Sequence, residues 1–232
     1  MLLGLIGDVH GNDVALAAVL AAARAAGAEA LLVTGDLVGY YHRPAGVLDL
    51  LDAWPYHIVR GNHEDMLARS RTDATALSAV ERKYGSGLRT ALGELAPAQL
   101  DRLCSLPHPL ELDLGGRRIL LCHGAPWDND CYVYPDAAAD ILQRCAAGGH
   151  DLVVLGHTHY AMMHRIGATT IVNPGSVGQP RDRQPGAAWA LYDTTTGDVS
   201  LRREAYPLEP VIAQARARDP ALPYLANVLT RT

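Results

Sequence analysis

Five short runs hold the residue types from which metal-assisted chemistry is built: Gly7-Asp8-Val9-His10-Gly11-Asn12, Gly35-Asp36, Gly61-Asn62-His63-Glu64, His123-Gly124 and Gly156-His157-Thr158-His159. They offer carboxylates, imidazoles and one carboxamide, and need no thiolate. That donor mix suits borderline divalent ions such as manganese, iron, cobalt or zinc. Asp8-x-His10 and His157-x-His159 each place two donors two residues apart, a spacing that reaches one centre from a strand end or a tight loop. The flanking glycines let the backbone pass close to an ion. Asp8, His10, Asp36, Asn62, His123, His157 and His159 are too many donors for one tetrahedral ion. They suit two ions that share a bridging carboxylate. Two ions about 3.5–4 Å apart activate a hydroxide between them and clamp the oxygens of an in-line phosphoryl displacement.

The elements that must position these donors follow from hydrophobic patterning. Each run comes directly after a short apolar stretch, and residues just past the carboxyl ends of strands share one ligand-binding rim in open α/β sheets. Residues 2–7 read as a buried strand, followed by an alanine-rich helix over 14–26 that Gly27 stops. A strand over 30–34, a helix from Pro44 to about residue 54 and a strand over 57–60 continue the alternation. Such alternation implies parallel strands with crossover helices. Residues 64–106 read as helical, broken near Gly85-Ser86-Gly87 and Pro97, and could form a lid. The second half predicts strands over 118–122, 152–155, 161–165, 169–172, 187–192 and 199–204, with one helix over 137–147. The tail from Pro207 to residue 232 reads as a short helix with a frayed end. Two sheets packed face to face with helices outside, in a single domain over residues 1–232, is the expected architecture.

Composition sets the outer limits. With 232 residues, 49% hydrophobic and 19% charged, the chain can bury a real core and is not a disordered one. The first apolar run ends at Gly7-Asp8 without a basic flank or cleavage site, so it is read as a strand and not a signal peptide. No apolar run approaches the roughly 18 residues needed to span a bilayer. Twenty Lys and Arg against 25 Asp and Glu leave a net charge of −5, which argues against broad electrostatic capture of nucleic acid. Cys104, Cys122, Cys131 and Cys145 lack zinc-ribbon spacing and read as free thiols in a reducing cytoplasm.

In order and in register with strand ends, the five runs resemble the calcineurin-like metallophosphoesterases. The resemblance extends to Gly35-Asp36-Leu37-Val38-Gly39-Tyr40, Cys122-His123-Gly124-Ala125-Pro126 and the run Asn173-Pro174-Gly175-Ser176-Val177-Gly178-Gln179-Pro180-Arg181. These are similar to a bacterial single-domain branch of predicted phosphodiesterases. The resemblance implies a four-layer αββα sandwich of two mixed sheets. It implies that Asp8, His10 and His159 hold one metal, that Asn62, His123 and His157 hold a second, and that Asp36 bridges them. His63 would face the substrate, stabilise transition-state charge and protonate the leaving oxygen. The cofactors implied are two divalent or mixed-valence ions, manganese or iron ahead of zinc, cobalt or nickel. The activity implied is phosphodiester hydrolysis of a nucleotide-like or other small phosphorylated substrate. The alternatives are a phosphomonoesterase and a non-catalytic interaction scaffold. The partner is that substrate, with no membrane and no nucleic acid; a homo-oligomer stays open.

One departure stands out. Protein phosphatases of the family continue Gly-Asp with x-x-Asp-Arg-Gly, whereas this chain reads Leu37-Val38-Gly39-Tyr40, so the carboxylate that orients the histidine and the arginine that grips phosphate are both replaced. Met163-His164-Arg165 and Arg181-Asp182-Arg183 are the candidates for a cationic grip, Arg181 first. Asn12 is a second candidate substrate contact. Trp127, Asp128, Tyr132 and Tyr134 form an aromatic–acidic loop after His123 that reads either as loop packing or as a wall for a nucleobase or other leaving group. Asn173-Pro174-Gly175-Ser176 reads as a tight structural turn ahead of a phosphate cradle.

Overall fold

The computed structural model describes residues 1–232 and contains two five-stranded sheets. The first half supplies β1 (Leu2–Ile6), α1 (Asp13–Ala25), β2 (Ala30–Val33), α2 (Pro44–Leu51) and β3 (Tyr56–Ile58). Helices α3 (Asn62–Ser70), α4 (Ala74–Tyr84), α5 (Gly87–Glu94) and α6 (Pro97–Cys104) follow. The second half supplies β4 (Leu110–Leu114), β5 (Arg117–Leu121), α7 (Ala139–Ala146), β6 (Leu152–Val154), β7 (Ala161–Ile166), β8 (Thr169–Pro174), β9 (Ala187–Asp193) and β10 (Val199–Glu204). Helices α8 (Glu209–Arg218) and α9 (Tyr224–Asn227) and a 3₁₀ turn (Val228–Thr230) end the chain.

The strand orders are β10-β9-β1-β2-β3 and β4-β5-β6-β8-β7. In the first sheet β1, β2 and β3 run parallel out to one edge and β9 is antiparallel to both β1 and β10, whereas in the second β5, β6 and β8 are parallel between antiparallel edge strands β4 and β7. Strand side chains alternate between faces, and the sequence obeys that period. Leu3, Leu5 and Leu32 of the first sheet meet Ile119, Leu121, Leu152 and Val154 of the second in a dry layer between them. The intervening positions pack outward: Leu31 and Val33 under α1 and α2, and Leu120 and Val153 under Leu142 and Cys145 of α7. The result is the expected αββα sandwich.

Several boundaries differ from the expectation, each for a local reason. The third strand ends two residues early because the Arg60 amide leaves the β2 ladder and donates to the Pro107 carbonyl. The helical stretch has an additional break at residues 71–73, where the Asp73 carboxylate caps α4 through the amides of Thr75 and Ala76. Strand β4 is an addition to the predicted set. Its Leu110-Glu111-Leu112-Asp113-Leu114 alternates inward and outward, and Gly115-Gly116, both at positive φ, turn it into β5.

In the helical segment over 64–106, Leu67, Leu88, Ala91, Leu100 and Leu103 enter the same apolar cluster as α1 and α2. The C-terminal tail does not fray as expected. Leu225, Ala226, Val228 and Leu229 are buried, the Tyr41 hydroxyl donates to the Leu225 carbonyl, and Asp219 accepts from His42 and from Ser86. All four cysteines are free, and no helix is long and apolar enough to cross a membrane.

Candidate metal centre

All five runs meet at one rim, at the carboxyl ends of β1, β2 and β3 from one sheet and of β5 and β6 from the other. Three groups of side chains bring one donor atom each to within 4.8 Å of one another: Asp8–His10–His159, His10–Asp36–His63 and Asp36–His123–His157. Asp36 belongs to two of them. Its Oδ2 lies 3.6 Å from His10 Nε2 and 3.5 Å from His123 Nε2. Asn62 joins the second side, with Oδ1 3.1 Å from His123 Nε2. All eight residues are buried, with exposures of 0–9%.

Three imidazoles are aimed by backbone carbonyls. His10 Nδ1 donates to Val38 O, His123 Nδ1 to Thr34 O and His159 Nδ1 to Gln179 O, at 3.1, 2.7 and 2.6 Å. Each bond fixes the tautomer and leaves Nε2 as a bare lone pair. Burial, the largest cause, pushes all three imidazoles well below their usual range, so they are neutral. Two lone pairs then face each other, His10 Nε2 and His159 Nε2, 3.1 Å apart. The same conflict arises between His123 Nε2 and Asn62 Oδ1. Pairs of acceptors at this range repel unless a cation lies between them, so the donors fit two metal ions. The carboxylates point the same way: burial pushes Asp8 up to about 8 and raises Asp36, whose neighbours Glu64 and Asp8 add to the effect.

The backbone is strained to achieve this. Seven non-glycine residues of the chain have left-handed backbone, and six stand here: Asp8, His10, Asp36, Tyr40, His157 and His159, with φ between 51° and 67°. Such a conformation costs about 1–3 kcal/mol at each residue and survives only where its surroundings over-determine it. Ser176 Oγ and the Gly178 amide both donate to the Asp8 carbonyl. Asn173 Nδ2 donates to Gly156 O and to Thr158 Oγ1. The run read as a tight structural turn thus clamps the loops of two donor pairs.

Glu64 is the residue whose role the sequence reading left unassigned. Its buried carboxylate accepts from the amides of Asp36, Leu37 and Gly61 at 2.8–2.9 Å, tying the Asp36 loop to the start of α3. The available signal was its place directly after Asn62-His63. The Asp36 Oδ1 in turn accepts from the His63 amide at 2.8 Å.

His63 faces a narrow cleft lined by Asp36, Tyr40, Asn62, Tyr84, Tyr132, His157, His159 and Arg181. Gly39, at φ +92°, lies against the ring so closely that a Cβ there would collide with His63 Nδ1. Packing therefore orients this imidazole: Tyr40 and Tyr84 flank it with ring centroids 4.8 and 5.2 Å away. Burial, helped by the nearby Arg181 charge, pushes its pKa down to about 3. Arg181 also lines this space, its Nη2 donating to Tyr40 Oη at 2.8 Å and to Gln179 Oε1 at 3.1 Å.

The other candidates for the grip lie elsewhere. Met163–Arg165 belong to edge strand β7, and Arg183 is exposed on a loop whose Asp182 pairs with Arg203. Asn12 is corrected from a substrate contact to a structural residue. Its Oδ1 caps α1 at the Ala15 amide, and its Nδ2 donates to Gly178 O and Tyr206 Oη.

A model of the calcineurin-like phosphoesterase superfamily domain matches residues 1–197. The chain belongs to this superfamily. It is a hydrolase of the metal-dependent phosphoesterase family, with the buried His and Asp cluster such a member needs. An uncharacterized protein of Methanocaldococcus jannaschii is 26% identical over 230 residues, covering 90% of this chain and 89% of that protein. A metallophosphoesterase from Sphaerobacter thermophilus superposes with a TM-score of 0.80 and 28% identity, covering 100% of this chain and 98% of that one. A hypothetical protein from Pyrococcus horikoshii shares the fold with a TM-score of 0.86 at 20% identity, covering 99% and 98%.

Proposed function

We propose that this phosphoesterase hydrolyses small phosphate diesters at a centre of two divalent ions, manganese or iron foremost. The observation that carries this reading is the shared position of Asp36 between imidazoles of both donor groups. Asp8, His10 and His159 would hold one ion, Asn62, His123 and His157 the other, with Asp36 common to both. When bound, the ions supply Lewis acidity and a water that is nucleophilic near neutral pH. Arg181, held by Tyr40 and Gln179, grips a non-bridging phosphoryl oxygen. His63 offers its N–H to the phosphoryl or leaving oxygen, where charge develops.

The preference for a diester rests on charge. Among the cavity's lining residues only Arg181 has a fixed positive charge. Beyond the charge of the two ions, the protein adds a single guanidinium as a grip, which suits the one negative charge of a diester. The test compares bis(p-nitrophenyl) phosphate with p-nitrophenyl phosphate on the manganese-loaded chain. The diester is expected to show the higher kcat/KM, and Arg181→Ala to raise KM for it about tenfold. A monoester preference would overturn the diester reading, and inertness towards both would overturn the activity.

A further inference from the structure

We propose that Tyr132 and Tyr134 form a nucleobase subsite beside the metal centre, so that the ester cleaved here has a nucleoside on one side of phosphorus; this rests on the phosphoesterase reading above. The Tyr132 ring lies 3.9 Å from that of His157, a candidate metal donor, and Tyr134 stacks beyond it at 5.6 Å with an interplanar angle of 14°. An aromatic wall therefore starts at the centre and runs outward. Both tyrosines are open to solvent, at 48% and 41% exposure.

The loop does not need these rings for its own packing. Between them Val133 is buried in the apolar cluster under α7, and Trp127 is covered by the Arg144 guanidinium at 3.8 Å. Asn129 Nδ2 anchors the loop to Asp65, and the Asp128 carbonyl accepts from the amides of Ala125 and Cys131. Of the loop's four candidates, Trp127 and Asp128 are thus structural, whereas Tyr132, against His157, and Tyr134, edge-on to Tyr160 at 5.8 Å, keep about half of their surface open to a ligand. Two exposed rings held on an anchored loop at the mouth of a polar cavity suit a planar, uncharged group.

The depth of the wall selects the class of that group. A ring attached directly to a phosphate oxygen would reach Tyr132 alone, whereas a sugar between phosphate and ring extends the reach to Tyr134. The Asp130 carboxylate, 3.5 Å from His157 Nε2, stands beside the wall as an acceptor for ribose hydroxyls or an exocyclic amine. Base–aromatic stacking is worth about 1–3 kcal/mol per base, which corresponds to roughly 5- to 150-fold in affinity.

The test measures binding to the manganese-loaded full chain by titration calorimetry with adenosine 5′-monophosphate, ribose 5-phosphate and phenyl phosphate. Adenosine 5′-monophosphate is expected to bind at least fivefold more tightly than the other two. Tyr134→Leu should reduce that ratio, and Tyr132→Leu with Tyr134→Leu should bring it close to one. Equal affinities, a ratio indifferent to both substitutions, or an equal gain for phenyl phosphate would overturn the subsite. Ribose 5-phosphate reports the phosphate site by itself. Failure of all three to bind while bis(p-nitrophenyl) phosphate is still hydrolysed would overturn the subsite alone, whereas inertness towards that diester would defeat the reading on which the subsite rests.

Discussion

At His10 and His159 two imidazole lone pairs stand 3.1 Å apart with their other nitrogens committed to backbone carbonyls. A cation resolves that conflict, and Asp36 is placed to serve one on either side. Only a shared carboxylate contributes charge to both ions, so Asp36→Asn is expected to lower occupancy at both sites, whereas Asn62→Ala empties one. Metal analysis of the reconstituted variants distinguishes the two. Full occupancy in Asp36→Asn would show that the bridge lies elsewhere. His63 separates chemistry from binding. Its contribution is made mainly in the transition state, so His63→Ala should keep both ions and lose about 10²–10³-fold in kcat. Steady-state kinetics on an alkyl ester should show a larger loss than on a nitrophenyl ester, whose leaving oxygen develops less charge. Loss of a metal in this variant would make His63 a ligand, as its closeness to His10 and Asp36 would then require.

At the scale of elements, the centre depends on loops that are tied to one another as well as to their own strands. Glu64 is the main tie, because one carboxylate receives three amides from the Asp36 loop and the start of α3. A glutamine there keeps one acceptor and turns an NH₂ towards amide donors. Glu64→Gln is expected to cost about 1–3 kcal/mol for each amide left unsatisfied, measured by urea denaturation, and to weaken metal binding through displacement of Asp36. The strand ends and their donors were legible in the sequence, since Asp8, Asp36, Asn62, His123 and His157 each follow an apolar run and a glycine or ligand pair marks the exit. The left-handed backbone at His10 or His159 was not, because nothing in an imidazole's identity announces a positive φ. Nor was the use of Asn12, whose helix-capping and metal-side readings share the same residues until Gly178 and Tyr206 are placed beside it. Strand β4 was legible in its Leu-Glu-Leu-Asp-Leu alternation and Gly-Gly turn, but its strength comes from pairing with β5. The replacement of an Asp-Arg pair by Gly39-Tyr40 was visible as a departure. Only the fold revealed that Gly39 seats His63 and that Tyr40 holds Arg181 from 141 residues away.

At the scale of the whole molecule, two sheets converge on one rim, and their strained loops crowd Asp8, Asp36 and Glu64 into a buried space. Ions that bind there bind the folded chain and not the unfolded one, so they stabilise it by linkage. An ion present at one hundred times its Kd adds about 2.7 kcal/mol. For a chain of this size each kcal/mol raises Tm by roughly 2–4 °C. The most direct test is therefore a metal count joined to a melting curve on the chelated protein reconstituted with manganese. The account predicts two ions per chain and a rise in Tm of about 10–20 °C for two ions near that saturation. One ion or none per chain, with the Tm of the chelated protein unmoved, would contradict it.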